Sequence, residues 1–281
     1  MNTTDIYEMI TERITRELKK GTVPWLKPWD GGERAISRNT GKPYSWLNQL
    51  AMPRGEYATF KQIQKEGGRV NKGAKAYPIV FWKLLKTEVE DEDGETIEKT
   101  IPVLRYYKVF NIEQDTDLEP KHKRRRTSKK PSTIKRLESI KTGYINKYGV
   151  GFEEGGDEAF YSPSKDTVRV PRKKSFFSSV EYYGTVFHEL GHSTGHKDRL
   201  NRLKSTACFG NEEYSREELV AELVSCGILN ATNHETASTF RNSAAYIQSW
   251  LKALENDPRM IVWASGRAEK AFNMIMDAEE K

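Results

Sequence analysis

His188-Glu189-Leu190-Gly191-His192 sits inside a run of helical periodicity and puts two histidines at i and i+4. On a helix both imidazoles then leave one face, a single turn apart. That spacing suits two ligands of one tetrahedral Zn²⁺, with manganese or another divalent ion as alternatives. Glu189 stands beside them as the candidate general base for a water polarised by the metal. The flanks predict a helix over about 179–194. Tyr182, Tyr183, Val186, Phe187 and Leu190 supply a buried face, and Gly195 can end it. Three of the chain's five histidines fall within 188–196, which weakens the reading of the motif as an accident.

A third protein ligand is needed, and two routes offer one. On the next predicted helix, about 215–230, Glu218 and Glu222 are i and i+4. One can bind the metal while the other accepts a hydrogen bond from a ligand histidine. Glu218 is preferred as ligand and Glu222 as the supporting acid. Leu219, Val220, Leu223 and Val224 share those turns, so part of this helix must be buried. The local route runs through Gly195 to Asp198, three and six residues after His192, and keeps Asp198 as an alternative. Before the motif helix, Asp166 to Val170 reads as a strand closed by Pro171. As an edge strand it would line up an extended peptide by main-chain pairing. A short structural strand is the competing reading.

Further out, residues 132–147 form a predicted helix with Ser132 as N-cap, and 235–255 and 258–278 form two more. Residues 5–20 read as an amphipathic helix through Ile6, Met9, Ile10, Ile14 and Leu18, ended by Gly21. Pro24 to Trp29 is extended, because each proline disfavours helix in the residue before it. A short helix with Thr59 as N-cap covers 59–66. Residues 76–90 and 96–110 alternate as a β-hairpin across Asp91-Glu92-Asp93-Gly94. Lys121 to Pro131 has no apolar residue and is placed as a linker. The division is therefore 1–115, a basic linker 116–131, and 132–281, in an α+β chain of two domains.

Charge follows this division. The net charge is +6 overall: +4 over 1–112, +5 over 113–136 and −3 over 137–281. A basic front and an acidic back suggest different partners. In the front half, aromatics interleave with cations. Trp25, Trp29, Trp46, Trp82 and Tyr106, with Arg69, Lys72 and Lys75 of a Gly-containing loop, are the candidate contacts to single-stranded nucleic acid. Bases stack on aromatic rings and cations track phosphates. Ordinary core packing is the competing reading for any one of these rings.

No run of ~18 apolar residues spans a bilayer, so no membrane partner is expected. The first 30 residues lack an apolar h-region, so no signal peptide is expected. Two cysteines, Cys208 and Cys226, are too few for a disulfide scaffold and point to a reducing cytoplasm.

The chain resembles the ArdC-type antirestriction proteins of conjugative plasmids and related mobile elements, over nearly its whole length. In front the resemblance rests on Val23-Pro24-Trp25 with Lys27-Pro28-Trp29, Thr40-Gly41-Lys42-Pro43-Tyr44 with Leu47-Asn48, Thr59-Phe60-Lys61-Gln62, Gly68 to Gly73, and Val109 to Gln114. Behind, it rests on Tyr182-Tyr183, His188 to His196, Arg199-Leu200-Asn201-Arg202, Arg216 to Glu222, and Tyr246 to Leu251. The resemblance implies an N-terminal domain that binds single-stranded DNA and a C-terminal zincin-like metallopeptidase domain. It also implies a protein that shields incoming DNA from restriction. It favours Glu218 over Asp198 as ligand. The basic run 121–130 is longer and more charged than the family leads one to expect. Two alternatives stay open: a DNA-binding protein whose zincin is a silent scaffold, and a peptidase of an unknown host protein that DNA merely localises.

Overall fold

The structure, a computed structural model, describes residues 3–21, 23–24, 34–90, 96–122, 134–203, 212–234 and 244–279. Contacts group the chain into two units. One holds Arg34–Arg124 and the chain up to Met9; the other holds Ile10–Glu33 and Arg125–Lys281. The first helix, α1 (Thr3–Lys19), buries Ile6, Ile10, Ile14 and Leu18 in one stripe. Its later turns belong to the second unit. Thr11 Oγ1 donates to Pro258 O at 2.6 Å, and Lys19 pairs with Glu255 at 3.1 Å. The division drawn from composition kept residues 1–115 together; the contacts assign Ile10–Glu33 to the other side.

The first unit is built on a four-stranded sheet. Its strands are β1 (Ala35–Ser37), β2 (Gly55–Thr59), β3 (Tyr77–Glu90) and β4 (Thr96–Asn111), in the order β1-β2-β4-β3. The predicted hairpin is β3 with β4, in register from Tyr77↔Val109 to Glu90↔Thr96. Its turn lies outside the described residues, as does the predicted extended run from Trp25 to Trp29. Thr59 caps α3 (Phe60–Lys65) as predicted. Its hydroxyl accepts from the Gln62 N–H while the Gln62 side chain accepts from the Thr59 N–H, a reciprocal capping box.

Two neighbouring amides on α2 (Trp46–Ala51) hold both edges of this sheet. Asn48 Oδ1 accepts from Val80 N–H and its Nδ2 donates to Val80 O, both at 2.8 Å. Gln49 does the same to Ala35, with both bonds at 2.9 Å. Each side chain imitates one residue of a further strand, so the edge amides do not go unpaired. A short helix, α4 (Ile112–Asp115), follows β4 and is capped by the Asn111 side chain.

The second unit contains α5 (Ile134–Tyr148), α6 (Ser179–Ser193), α7 (Glu212–Ala231), α8 (Ala244–Asn256) and α9 (Met260–Met276). The Ser132 cap and the first turns predicted from residue 235 lie outside the described residues. Three strands precede the motif helix: β5 (Gly151–Glu154), β6 (Phe160–Ser162) and β7 (Thr167–Val170). Their order is β5-β7-β6, with β7 parallel to β5 and antiparallel to β6. This corrects the edge-strand reading of 166–170. β7 is the middle strand, with Val168 and Val170 buried, because a β5 that the sequence pattern hid takes its other side.

Behind this sheet, Arg199 is almost fully buried, its side chain 3% exposed. Its Nη1 donates to Asp166 Oδ2 at 2.9 Å, Nη2 also bonds Oδ1, and Nε donates to Ser193 O at 2.7 Å. Tyr161 OH donates to Asp166 at 2.6 Å. Burial alone would raise the Asp166 pKa, but the bonds from Arg199 and Tyr161 hold it below its ordinary value. Asp166 has φ +47°, which Asn also tolerates, so Asp166→Asn removes charge without backbone strain. We expect it to destabilise the protein by about 2 kcal/mol in urea titrations at neutral pH, the size of a charge-assisted bond to a buried guanidinium. The depressed pKa adds stability above the unfolded value near ~4. That stability is lost as pH falls through the folded value, so wild type and variant should converge in acid.

Candidate functional site

Close packing of α6 on α7 builds the site. A Cβ on Gly191 would stand 3.1 Å from Ala221 Cα, and Ser225 Oγ donates to Gly184 O at 2.7 Å. Ascending α6 from 184 to 191 matches descending α7 from 225 to 221, so the two helices run antiparallel. Small residues at the crossing let the backbones approach until the α7 acids reach the α6 imidazoles.

Glu218 Oε2 lies 3.5 Å from His188 Nε2, and its Oε1 lies 3.4 Å from His192 Nε2. The two Nε2 atoms are 3.2 Å apart. One donor atom from each of His188, His192 and Glu218 falls within 4.8 Å of the others. Behind them, Glu222 Oε2 is 3.7 Å from His188 Nδ1, and Glu217 Oε1 is 3.4 Å from His192 Nδ1. Asp198 is instead 72% exposed, its carboxylate 3.5 Å from His196 Nδ1. Each imidazole thus has one nitrogen toward the shared centre and the other toward a supporting carboxylate, an arrangement that fixes ring orientation in metal sites.

Glu217 and Arg202 complete this arrangement. Arg202 Nε and Nη2 donate to the two Glu217 oxygens at 2.9 and 2.8 Å, and the same guanidinium donates to Gly191 O and Thr194 Oγ1. Neither role is readable from spacing. Glu217 precedes Glu218 by one residue, which turns it about 100° around the helix, and only the packing shows that this direction is also buried.

Electrostatics decide what the centre can hold. Burial would lower the histidine pKa values, but hydrogen bonds to the surrounding carboxylates raise both, His188 to about 10. Burial would raise Glu217 and Glu218, yet the histidines hold both below the ordinary value, with Arg202 adding to the effect at Glu217. A centre that stabilises positive charge on two imidazoles stabilises a cation placed between them. Two imidazole nitrogens with one carboxylate oxygen are the donor set of a catalytic divalent metal, and the residues present fit such an ion. Glu189 adjoins this centre and is buried. Burial raises its pKa, against the lowering effect of the neighbouring His188 and His192.

The nucleic-acid candidates are distributed differently. Trp25 and Trp29 lie outside the described residues, as does the Trp82 side chain. Trp46 and Tyr106 are half-buried. Arg69, Lys72 and Lys75 are exposed on the α3–β3 loop, which bonds back to residues 114–117 through Asn71 N–H to Asp115 O and Arg69 N–H to Asp117. Among the described residues, the rings most open on the hairpin stem are Phe81 and Tyr107, stacked on each other with centroids 5.1 Å apart.

Comparison with known proteins agrees with this geometry. Residues 4–110 match the N-terminal domain of anti-restriction factor ArdC, and residues 141–267 match the zincin-like metallopeptidase family. The metal-free crystal structure of the antirestriction protein ArdC from the R388 plasmid superposes with a TM-score of 0.72, at 32% identity over 98% of each chain. The chain belongs to the ArdC antirestriction family. The Mn(II)-bound structure of the same R388 ArdC aligns with a TM-score of 0.71 at 28% identity. An uncharacterised Sinorhizobium fredii protein, y4eC, is 30% identical over 95% of this chain and 90% of its own length. Two Escherichia coli proteins named DNA primase TraC are 34% and 33% identical over 98% of this chain. The chain spans only 27% and 20% of their lengths. Among the described residues no helix is long and apolar enough to cross a membrane.

Substitutions should separate ligands from supports. His188→Ala should abolish stoichiometric divalent metal in the purified protein, measured by elemental analysis. Glu217→Gln leaves every ligand atom in place, so metal should still bind but ~10–100-fold more weakly. Asp198→Asn should leave metal affinity as in wild type.

Proposed function

We propose that this ArdC-family chain binds single-stranded DNA through its N-terminal unit and carries a zinc-dependent peptidase centre in its C-terminal unit, and that it protects DNA entering a new host from restriction. The observation carrying the peptidase reading is the His188, His192 and Glu218 cluster with the buried Glu189 beside it. Manganese is the alternative ion, since an R388 ArdC structure holds Mn(II).

When bound, a divalent cation polarises a peptide carbonyl and acidifies a water. The chain's own residues supply the rest. Glu217 and Glu222 orient the imidazoles from behind. Glu189, its pKa raised by burial, accepts the proton of the attacking water and returns it to the leaving amine. Support for DNA binding comes from the match of residues 4–110 to the ArdC N-terminal domain and from the basic front half. The substrate of the peptidase centre would be a protein of the recipient cell.

Glu189→Gln tests the assignment, because it preserves shape and the ligand set while removing the base. Metal content and affinity for single-stranded DNA should match wild type, and peptidase turnover should fall by ~10²–10⁴. In plasmid transfer into a restricting recipient, loss of protection by this variant would tie protection to cleavage. Retained protection would leave DNA binding as the protective function. A collapse of DNA affinity in Glu189→Gln would refute the assignment of binding and cleavage to separate units.

A further inference from the structure

The hairpin stem changes character along one face. Tyr77, Ile79 and Val109 face the core formed with Ala35, Met52 and Tyr57. The next positions on that face turn outward. Tyr107 is paired with Ile79, and Phe81 with Arg105. Phe81 is 37% and Tyr107 53% exposed. Their rings lie parallel, 5° apart in plane. Two large rings half open to solvent forgo a substantial share of the burial that stabilises an aromatic side chain, and their mutual stacking returns only a small part of it.

The surroundings specify a partner. Arg105 faces Phe81 across the ladder, and Lys83 is the next residue along β3 on the same face; both are exposed. Over Tyr77–Leu85 and Val103–Asn111 the charged residues are Lys83, Arg105 and Lys108, with no acid. Among the described residues none of these three is held in an ion pair. An aromatic face flanked by free cations is complementary to a base carrying its phosphates. A duplex hides its base faces in the stack, so the complement is single-stranded.

We propose that Phe81 and Tyr107 form the base-stacking platform of the N-terminal unit, with Arg105 and Lys83 on the flanking phosphates. This rests on reading that unit as a single-stranded-DNA binder, and it names residues outside the Trp and loop-lysine set expected from sequence. The ligand chemistry is an unpaired base with its backbone phosphate, and the occupant is single-stranded DNA.

The test uses the intact chain and a fluorescent oligo-dT 20-mer in anisotropy titrations at several salt concentrations. Phe81→Leu with Tyr107→Leu keeps apolar bulk but removes both π-faces, and should weaken binding about 10–100-fold. Tyr107→Trp should retain or tighten it. Lys83→Gln with Arg105→Gln should weaken binding and flatten the salt dependence by about 0.7 per lost phosphate contact. Wild type that binds oligo-dT while the double Leu variant binds equally well would overturn the platform and leave the DNA-binding reading standing. Wild type that binds no oligo-dT would overturn that reading itself. Should the double Leu variant fold poorly, photocrosslinking of 5-bromodeoxyuridine DNA to wild type decides. Adducts on the peptides of Phe81 and Tyr107 support the platform, and adducts confined elsewhere refute it. Unchanged DNA affinity with lost protection would refute it too and reassign the pair to a protein contact.

Discussion

The approach of α6 to α7 at Gly191 and Ala221 is the constraint on which the C-terminal site depends. A histidine side chain is short, and so is a glutamate. Helices at ordinary interaxial distances of 8–10 Å place such groups in contact only where the intervening residues are small. Gly191 lies between the histidines' turns, and Ala221 lies between Glu218 and Glu222. Backbone contact at this one level therefore sets the reach of three acids at once. The spacing of 188 and 192 on one helix and of 218 and 222 on the other does the rest, since antiparallel helices bring matching i, i+4 pairs face to face. The motif supplies two of the proposed ligands, but the crossing supplies the third and both proposed supports.

The same crossing concentrates charge. Glu189, Glu217, Glu218 and Glu222 all lie at or behind the two imidazoles, and Arg202 is the guanidinium that pairs directly with one of them. Crowded carboxylates in a buried place oppose folding unless positive charge is supplied. Arg202 supplies part at Glu217, and protonation of the histidines, whose pKa values the carboxylates raise, supplies more. A divalent ion does the same work with a better-placed charge. The Arg199–Asp166–Tyr161 network stands next in line. Tyr161 anchors its side chain in that network, so the loop after the motif helix and the edge strand β6 are tied to one another.

Much of this was readable in residues with strong periodicity or strict chemistry. The motif helix, the long hairpin and the Thr59 cap each carry a local signal, and each lies within a residue or two of the predicted place. The pair Glu218 and Glu222 was readable because i, i+4 spacing is a geometric statement about one helix. What stayed hidden is what only a second element defines. β1 and β2 are three and five residues long, too short for alternation to emerge. β5 ends in two glutamates and offers no apolar repeat, so β7 was misread as an edge. Asn48 and Gln49 look like surface amides until the strand edges they clamp are in place. Glu217 reads as a solvated neighbour of Glu218 until Arg202 arrives from another segment.

The front half owes its basic character to how its acids are used, as well as to their number. Glu56 is buried and bonds Arg38, and its carboxylate also accepts the N–H groups of Lys121 and His122 at 3.1 and 2.9 Å. Glu66 bonds Arg38 Nε at 2.9 Å and Lys121 Nζ at 2.7 Å. His122 Nε2 lies 2.9 Å from Arg38 O, which closes the cluster. These two carboxylates are neutralised inside the unit, and in doing so they pin the first residues of the basic run to the sheet. Among the described residues, Lys83, Arg105 and Lys108 of the hairpin stem receive no such compensation. Charge that is paired internally contributes little to an approaching polyanion, whereas unpaired charge on a face bearing open rings contributes through both phosphate and base. The acids hold the unit together, and the cations they leave uncompensated are those of the proposed base-stacking face.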